Sequence, residues 1–239
     1  MSQKSPEGLS VEKSSEGLIL VFFDVGPNVE EADLNDCLDN EHIPLKLTVP
    51  GVKSAIRYRA VDSQTPTWLS MYHIETPGVA SSEAYDAVRA KASDKEKAIL
   101  AAINGLSWGT YVDIGSFTHP DAMADSLPCK YVLAVGLEPT PEREDDLNKW
   151  YEEEHMDLLA KTPGWRQGRR YKLVEQRQTG TMADKPMSKY LAIHEFEENN
   201  FLQSPEFKHA TSTEWRERVM SSMVRREARV LELYKGFTA

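Results

Sequence analysis

The sequence predicts an α+β fold. Two ferredoxin-like β-α-β-β-α-β repeats are expected to form an intramolecular α/β barrel. Three observations point there. First, a shift of 113 residues superimposes 33–58 on 146–171 without a gap, and ten of those 26 positions are identical, with Glu-His and Pro-Gly intact in both copies. Second, the order of strand-like and helix-like periodicity is the same in each half. Third, a four-stranded sheet with helices on one face leaves its other face bare, and two such faces in one chain can bury each other.

The elements follow in order. Residues 1–16 are polar and rich in Ser, Glu and Lys, and read as a disordered tail. The first repeat spans 17–115. Its apolar run 18–25 is a strand, and 30–40 is a helix with Leu34 and Leu38 on one face. Pro50-Gly51 ends that helix and starts a strand over 52–61. Strand 68–75, helix 82–104 and strand 109–114 complete the unit. Residues 116–129 form a linker with two prolines. The second repeat, 130–239, gives strand 130–137, helix 142–160 broken at Pro163-Gly164, and strands 165–174 and 189–197. Helix 204–225 and strand 228–234 close it. Between its middle strands lies an insertion, 175–188, suited to be a lid over the second half.

On the third strands, Leu69 and Met71 alternate with Trp68, Ser70, Tyr72 and Ile74, and Leu191 and Ile193 alternate with Tyr190, Ala192, His194 and Phe196. The aliphatic face suits packing on helices. The mixed aromatic and polar face is therefore expected to line a ligand cavity inside the barrel.

The 239 residues carry a formal net charge of -10. An acidic surface repels phosphate backbones and anionic membranes, so nucleic acid and membrane are not expected partners. No apolar stretch is long enough to span a bilayer, and no signal-peptide core is present. The two cysteines do not occupy matching positions, which points to a reducing cytoplasm. No metal-ligand spacing, phosphate loop or dinucleotide fingerprint occurs, so no metal and no cofactor is expected. Dimerisation of the whole chain through other surfaces stays open.

The stretch W-Y-E-E-E-H-M-D-L-L-A-K-T-P-G-W-R-Q-G-R-R-Y, 150–171, resembles the hallmark of the dimeric α/β-barrel superfamily, and within it the EthD-like proteins. The first copy, E-H-I-P-L-K-L-T-V-P-G-V-K-S-A-I-R-Y-R, and the S-P-E-F of 204–207 are similar to the same pattern. The resemblance implies two short barrel-forming chains fused into one. It does not fix a chemistry, because this fold hosts many.

The candidate site residues follow from chemistry and position. His42 and His155 recur in the repeat and could move protons near neutral pH; either could instead cap its helix. His194 and Tyr72 hold matching places on the third strands, as base and as oxygen-side donor, or as ordinary half-buried strand residues. Trp68, Tyr190 and Phe196 are candidate ring-binding residues. Tyr58 and Tyr171, with Arg57 and Arg170, recur beside them, and alternation does not say which neighbour faces inward. The expected function is a cofactor-independent enzyme acting on an aromatic or polyketide-like small molecule by decarboxylation, dehydration, cyclisation or isomerisation. The alternatives are a non-catalytic carrier and a cofactor-free monooxygenase. The principal site is expected in the second half, on His155 or His194, with Tyr72 and His42 as donors.

Overall fold

The structure is a computed structural model; it describes residues 3–4, 9–12, 14–123 and 127–239. Ten strands and eight α-helices follow in chain order among these residues. The strands are β1 (Gln3–Lys4), β2 (Ser10–Glu12), β3 (Gly17–Asp24), β4 (Val52–Ala60), β5 (Trp68–Ile74) and β6 (Gly105–Thr118), then β7 (Tyr131–Pro139), β8 (Trp165–Gly180), β9 (Tyr190–Phe196) and β10 (Met223–Thr238). The helices are α1 (Glu31–Cys37), α2 (Ile43–Leu47), α3 (Glu83–Ala90), α4 (Asp94–Ala102), α5 (Glu144–Trp150), α6 (Met156–Leu159), α7 (Pro205–Ala210) and α8 (Glu214–Ser221).

The predicted repeat is present. In each half a five-residue π-helical turn, Leu38–His42 or Tyr151–His155, joins two α-helical pieces and ends on the motif histidine. Such turns place an extra residue on one face and recur at functional sites. Gly51 and Gly164 both have positive φ, at +90° and +79°, which is why Pro-Gly survives in both copies. The repeated Asn and Arg also have one job. Arg57 Nη2 donates to Asn35 Oδ1 at 2.6 Å, and Arg170 Nη2 donates to Asn148 Oδ1 at 2.8 Å, so each pair ties the helix to the same strand of its sheet.

The two expected long helices are each a pair. Ser93 interrupts 82–104 and Thr213 interrupts 204–225. Each hydroxyl accepts from the backbone N–H three residues on, from Glu96 at 3.0 Å and Arg216 at 3.1 Å, and starts a new helix. Strands β6, β8 and β10 are longer than predicted, each running on for 14 to 16 residues.

That length changes the domain organisation. One compact unit holds Ser15–Val112, Leu173–Met187 and Leu233–Ala239; the other holds Asp113–Lys172 and Ser188–Glu232 with the described N-terminal residues. The expected boundaries at 115 and 130 follow the chain, but a cut after 115 falls inside β6. The first-half unit sets β3, β5 and β4 beside β6, and borrows the ends of β8 and β10. Thr181 N–H donates to Asn104 O at 3.0 Å, and Ala239 N–H donates to Lys53 O at 3.1 Å. The second-half unit sets β7 and β9 beside β8 and β10, with the end of β6 alongside, where His119 N–H donates to Arg166 O at 2.9 Å. Followed along the chain, the ladder order is β6-β3-β5-β4-β10-β7-β9-β8 and back to β6, a closed cycle of eight. This is the α+β barrel topology that the repeat predicts.

The tail expectation needs correcting where it can be read. Strand β2 pairs with Ser116–Thr118, so three residues assigned to the linker are also ladder residues. Leu9 is buried in the second-half core. Residues 1, 2, 5–8 and 13 of the tail and 124–126 of the linker lie outside the described residues.

The faces of the sheets are the reverse of the expectation. Trp68, Tyr72 and Ile74 pack with helical residues Leu34, Ile43, Tyr85 and Val88. Tyr190, Ala192 and Phe196 pack with Leu147, Trp150 and Met156. The mixed face thus lies under the helices, and the aliphatic face, with Leu69, Met71 and Leu191, is turned away from them. Helix amphipathicity accounts for this, since these helices present rings and branched chains that interdigitate with aromatic strand residues.

Candidate active site

In the first-half unit a cavity of about 510 Å³ opens between the helix-facing side of the sheet and the helices. Val21, Phe23, Ser70 and Tyr72 form its floor, and Leu34, Leu38, His42 and Lys46 one wall. Helices α3 and α4 give the other wall, through Tyr85, Val88, Glu96 and Leu100. A mostly apolar pocket of this size with a few convergent polar groups is the usual form of a small-molecule site.

His42 Nδ1–H donates to Glu96 Oε1 at 2.7 Å across the cavity wall. Glu96 is 4 % exposed, and this bond is the main cause that holds its carboxyl below the ordinary value. An ionised Glu96 can only accept, so Nδ1 carries the proton and Nε2 is the nitrogen left for chemistry. Ser93-Asp94-Lys95-Glu96 has the sequence of a capping box, but the Glu96 side chain bonds the histidine. The cap hydroxyl of Ser93 also donates to Glu41 Oε2 at 2.7 Å.

The Tyr72 side chain makes no hydrogen bond to a described residue. Burial holds its hydroxyl protonated far above neutral pH, with the Tyr85 ring adding in the same direction. Tyr85 is likewise pushed up to about 12 by burial. Lys46 is buried and its Nζ lies 4.0 Å from the centre of the Tyr85 ring. Desolvation brings Lys46 down to about 8. The insertion expected to cover the second half belongs instead to this unit. Its Arg177 and Thr179 line the cavity, with the Arg177 guanidinium 5.0 Å from the Trp108 ring.

The second half places its histidines differently. His155 is stacked on Trp150 at 4.0 Å between centroids, and its Nδ1–H donates to Ala210 O at 3.2 Å. Burial, with His194 close by, drives its proton affinity well below the ordinary value. His194 is fully buried, both ring nitrogens lack a hydrogen-bond partner, and burial brings it down to about 3, helped by Arg170. The two rings are 6.3 Å apart. Trp150 and Tyr151 stand where the first copy has Cys37 and Leu38, and both rings are part of the second-half core.

Of the residues singled out in the sequence, His42 and Tyr72 line the cavity together. Arg57 and Arg170 face the helices. Arg57 lies 4.7 Å from the Trp68 ring and donates to Asp39 Oδ1 at 2.5 Å, while Arg170 lies 4.1 Å from the Tyr151 ring. Trp68 meets Tyr234 edge to face, Phe196 stacks on Phe201, and Tyr190 donates to Glu144 Oε2 at 2.9 Å. These five hold core positions. Tyr58 and Tyr171 are buried beside them in sequence and point to the opposite face of their strands. Sequence reading missed Glu96, Lys46 and Tyr85. The S-x-x-E at Ser93 was a signal for Glu96 as a helix start. Nothing in the sequence marks its distant partner, His42.

Among the described residues no helix is long and apolar enough to cross a membrane, and no group of three or more His, Cys, Asp or Glu side chains is placed to hold a metal ion.

Neither a protein-family model nor a curated protein sequence matches the chain. Solved structures do. The chain is similar to an anthrone oxidase-like protein, with a TM-score of 0.65 at 11% identity over 96% of both chains. It is also similar to a candidate monooxygenase from Fusobacterium nucleatum, with a TM-score of 0.59 at 10% identity over 94% of this chain and 95% of that one. A third likeness is to a candidate monooxygenase from Lactobacillus acidophilus, with a TM-score of 0.55 at 10% identity over 94% and 97%. At these identities the likeness is one of fold, and that fold is the dimeric α/β barrel within a single chain.

Proposed function

We propose that this protein is a cofactor-independent enzyme that moves a proton on an aromatic or polyketide-like small molecule bound in the first-half cavity. The observation that carries the reading is the part-buried His42–Glu96 pair at 2.7 Å on the wall of an aromatic-lined cavity. Glu96 orients the ring and stabilises the imidazolium that forms when Nε2 takes a proton. The substrate loses that proton from a phenolic O–H or an acidified C–H, and becomes a phenolate or enolate. Tyr72, held protonated, donates to the oxygen on which the charge develops. Decarboxylation, dehydration, cyclisation and isomerisation share this first step. His155 and His194, the bases expected from the sequence, serve in this reading as a buried, neutral support of the second half. The sequence likeness to EthD-like proteins agrees with a small-molecule substrate.

A carrier needs no oriented base, so a part-buried carboxylate–imidazole pair in the cavity speaks against it. Oxygenation is the second reading. The fold neighbours are named as an anthrone oxidase-like protein and candidate monooxygenases. An electron-rich phenolate or enolate is also the species that dioxygen would attack.

Anthrone in deuterated buffer gives the test, because its methylene exchanges through the enolate. Wild-type protein should speed deuterium uptake, read by proton NMR, and His42→Ala should remove about a hundredfold or more of that acceleration. Exchange no faster than in buffer, or equal in the variant, overturns the reading. Oxygen uptake with the same compound separates oxygenation from proton transfer alone.

A further inference from the structure

Lys46 stands in the last turn of α2, where the second copy has Leu159. An apolar side chain therefore serves the fold at this position. Lys46 is nonetheless 4 % exposed and lines the cavity. The lining carries three further cations, each with a carboxylate of its own. Arg89 pairs with Asp86 at 3.4 Å, Lys97 with Asp94 at 3.7 Å and Arg177 with Glu175 at 2.9 Å. The one carboxylate of the lining, Glu96, is bonded to His42. Among the described residues the Lys46 ammonium has no ion-pair partner and no hydrogen-bond acceptor; its close polar contact is the face of Tyr85. The ring face returns part of the lost hydration, and among the described residues no acceptor meets the ammonium's N–H donors. A largely desolvated charge without a paired counter-ion is costly, and an anion supplied by a ligand lowers that cost.

We propose that Lys46 binds an anionic oxygen of the substrate, so that the cavity takes aromatic anions, rings bearing a carboxylate or an ionised phenol. The proposal deepens the reading of the same cavity and rests on it. Around the ammonium, Arg89 on α3 opposes its charge, while Glu96 on α4 and Asp86 on α3 favour it. It keeps its proton at neutral pH.

Titration calorimetry on the full chain tests this with two matched pairs of probes. These are 2-naphthoate against 2-naphthamide, and 4-nitrophenol at a pH where it ionises against 4-nitroanisole. The anion of at least one pair should bind about tenfold or more tightly than its neutral partner, as expected for a charge-assisted bond. Lys46→Met should erase that preference and Lys46→Arg should keep it. In wild-type protein, which needs no variant to fold, the preference for 2-naphthoate should fall as pH rises above about 8. Equal affinities within both pairs overturn the proposal and leave the aromatic cavity standing. So does a preference that survives in folded Lys46→Met, or one that is flat with pH. If no probe of either pair binds, the aromatic cavity itself is wrong, and the proposal falls with it.

Discussion

Glu96 and Arg216 occupy the same place in two equivalent helices, each three residues after the hydroxyl that caps it. Glu96 accepts the Nδ1 proton of His42. Arg216 sits near the equivalent His155 and disfavours its protonation. Burial and His194 weigh more heavily against a proton on His155, and Arg216 adds in the same direction. In the first half a carboxylate holds the histidine ring beside an open cavity. In the second half the histidine lies in a packed aromatic core. The half with the sparser motif is the one whose histidine pairs with a carboxylate on a cavity wall.

The two histidines should therefore separate activity from stability. His42→Ala and Glu96→Gln should each lower the rate of anthrone exchange, the first by about a hundredfold or more, with little change in melting temperature. His155→Ala should leave exchange in place and lower unfolding free energy by about 2–4 kcal/mol, because it opens a hole against Trp150. Exchange lost in His155→Ala with full stability would return the site to the second half.

Acid should expose the burial of His194. Burial brings it down to about 3, below the ordinary imidazole value of about 6.5. Between those values the unfolded chain binds a proton that the folded chain refuses, so stability falls as pH falls through that window. His155, also depressed, acts in the same direction. Each contributes a slope of up to about 1.4 kcal/mol per pH unit. Urea unfolding at several pH values should show a shallower loss for His194→Phe than for wild type. Parallel curves would mean that the ring finds a partner in solution.

Gly51 and Gly164 offer a matched pair. Alanine at either must adopt positive φ, which costs about 1–2 kcal/mol. At Gly51 a Cβ would also meet Val79 Cγ2 at 2.6 Å, whereas at Gly164 the nearest atom is 3.6 Å away. Gly51→Ala should thus destabilise more than Gly164→Ala in denaturant titrations. The opposite order would show that the loop beside Gly51 yields easily.

Division of the chain in the linker tests the shared strands. A fragment ending at residue 123 lacks Leu173–Met187 and Leu233–Ala239, which belong to the first-half unit. Each fragment alone should show no cooperative unfolding, and mixing should restore it. Two separately stable fragments would mean that the borrowed strand ends contribute little.

What the sequence determined by itself was the architecture and its punctuation. The 113-residue shift, the strand and helix periods, and Pro-Gly at 50–51 and 163–164 are local signals, and each has a local cause in side-chain period or backbone φ. They were enough for the repeat and for the order of strands and helices along each half. Tertiary structure alone decided which face of each sheet lies under the helices, because alternation is symmetric between faces and only the partner layer breaks the tie. It also decided that Trp150 and Tyr151 pack into the second-half core, at the places where the first half has Cys37 and Leu38. The pairing of His42 with Glu96, and the placing of the Lys46 ammonium over the Tyr85 ring, join residues from separate helices. No spacing rule encodes such distances; they follow from how α2, α3 and α4 pack on one sheet.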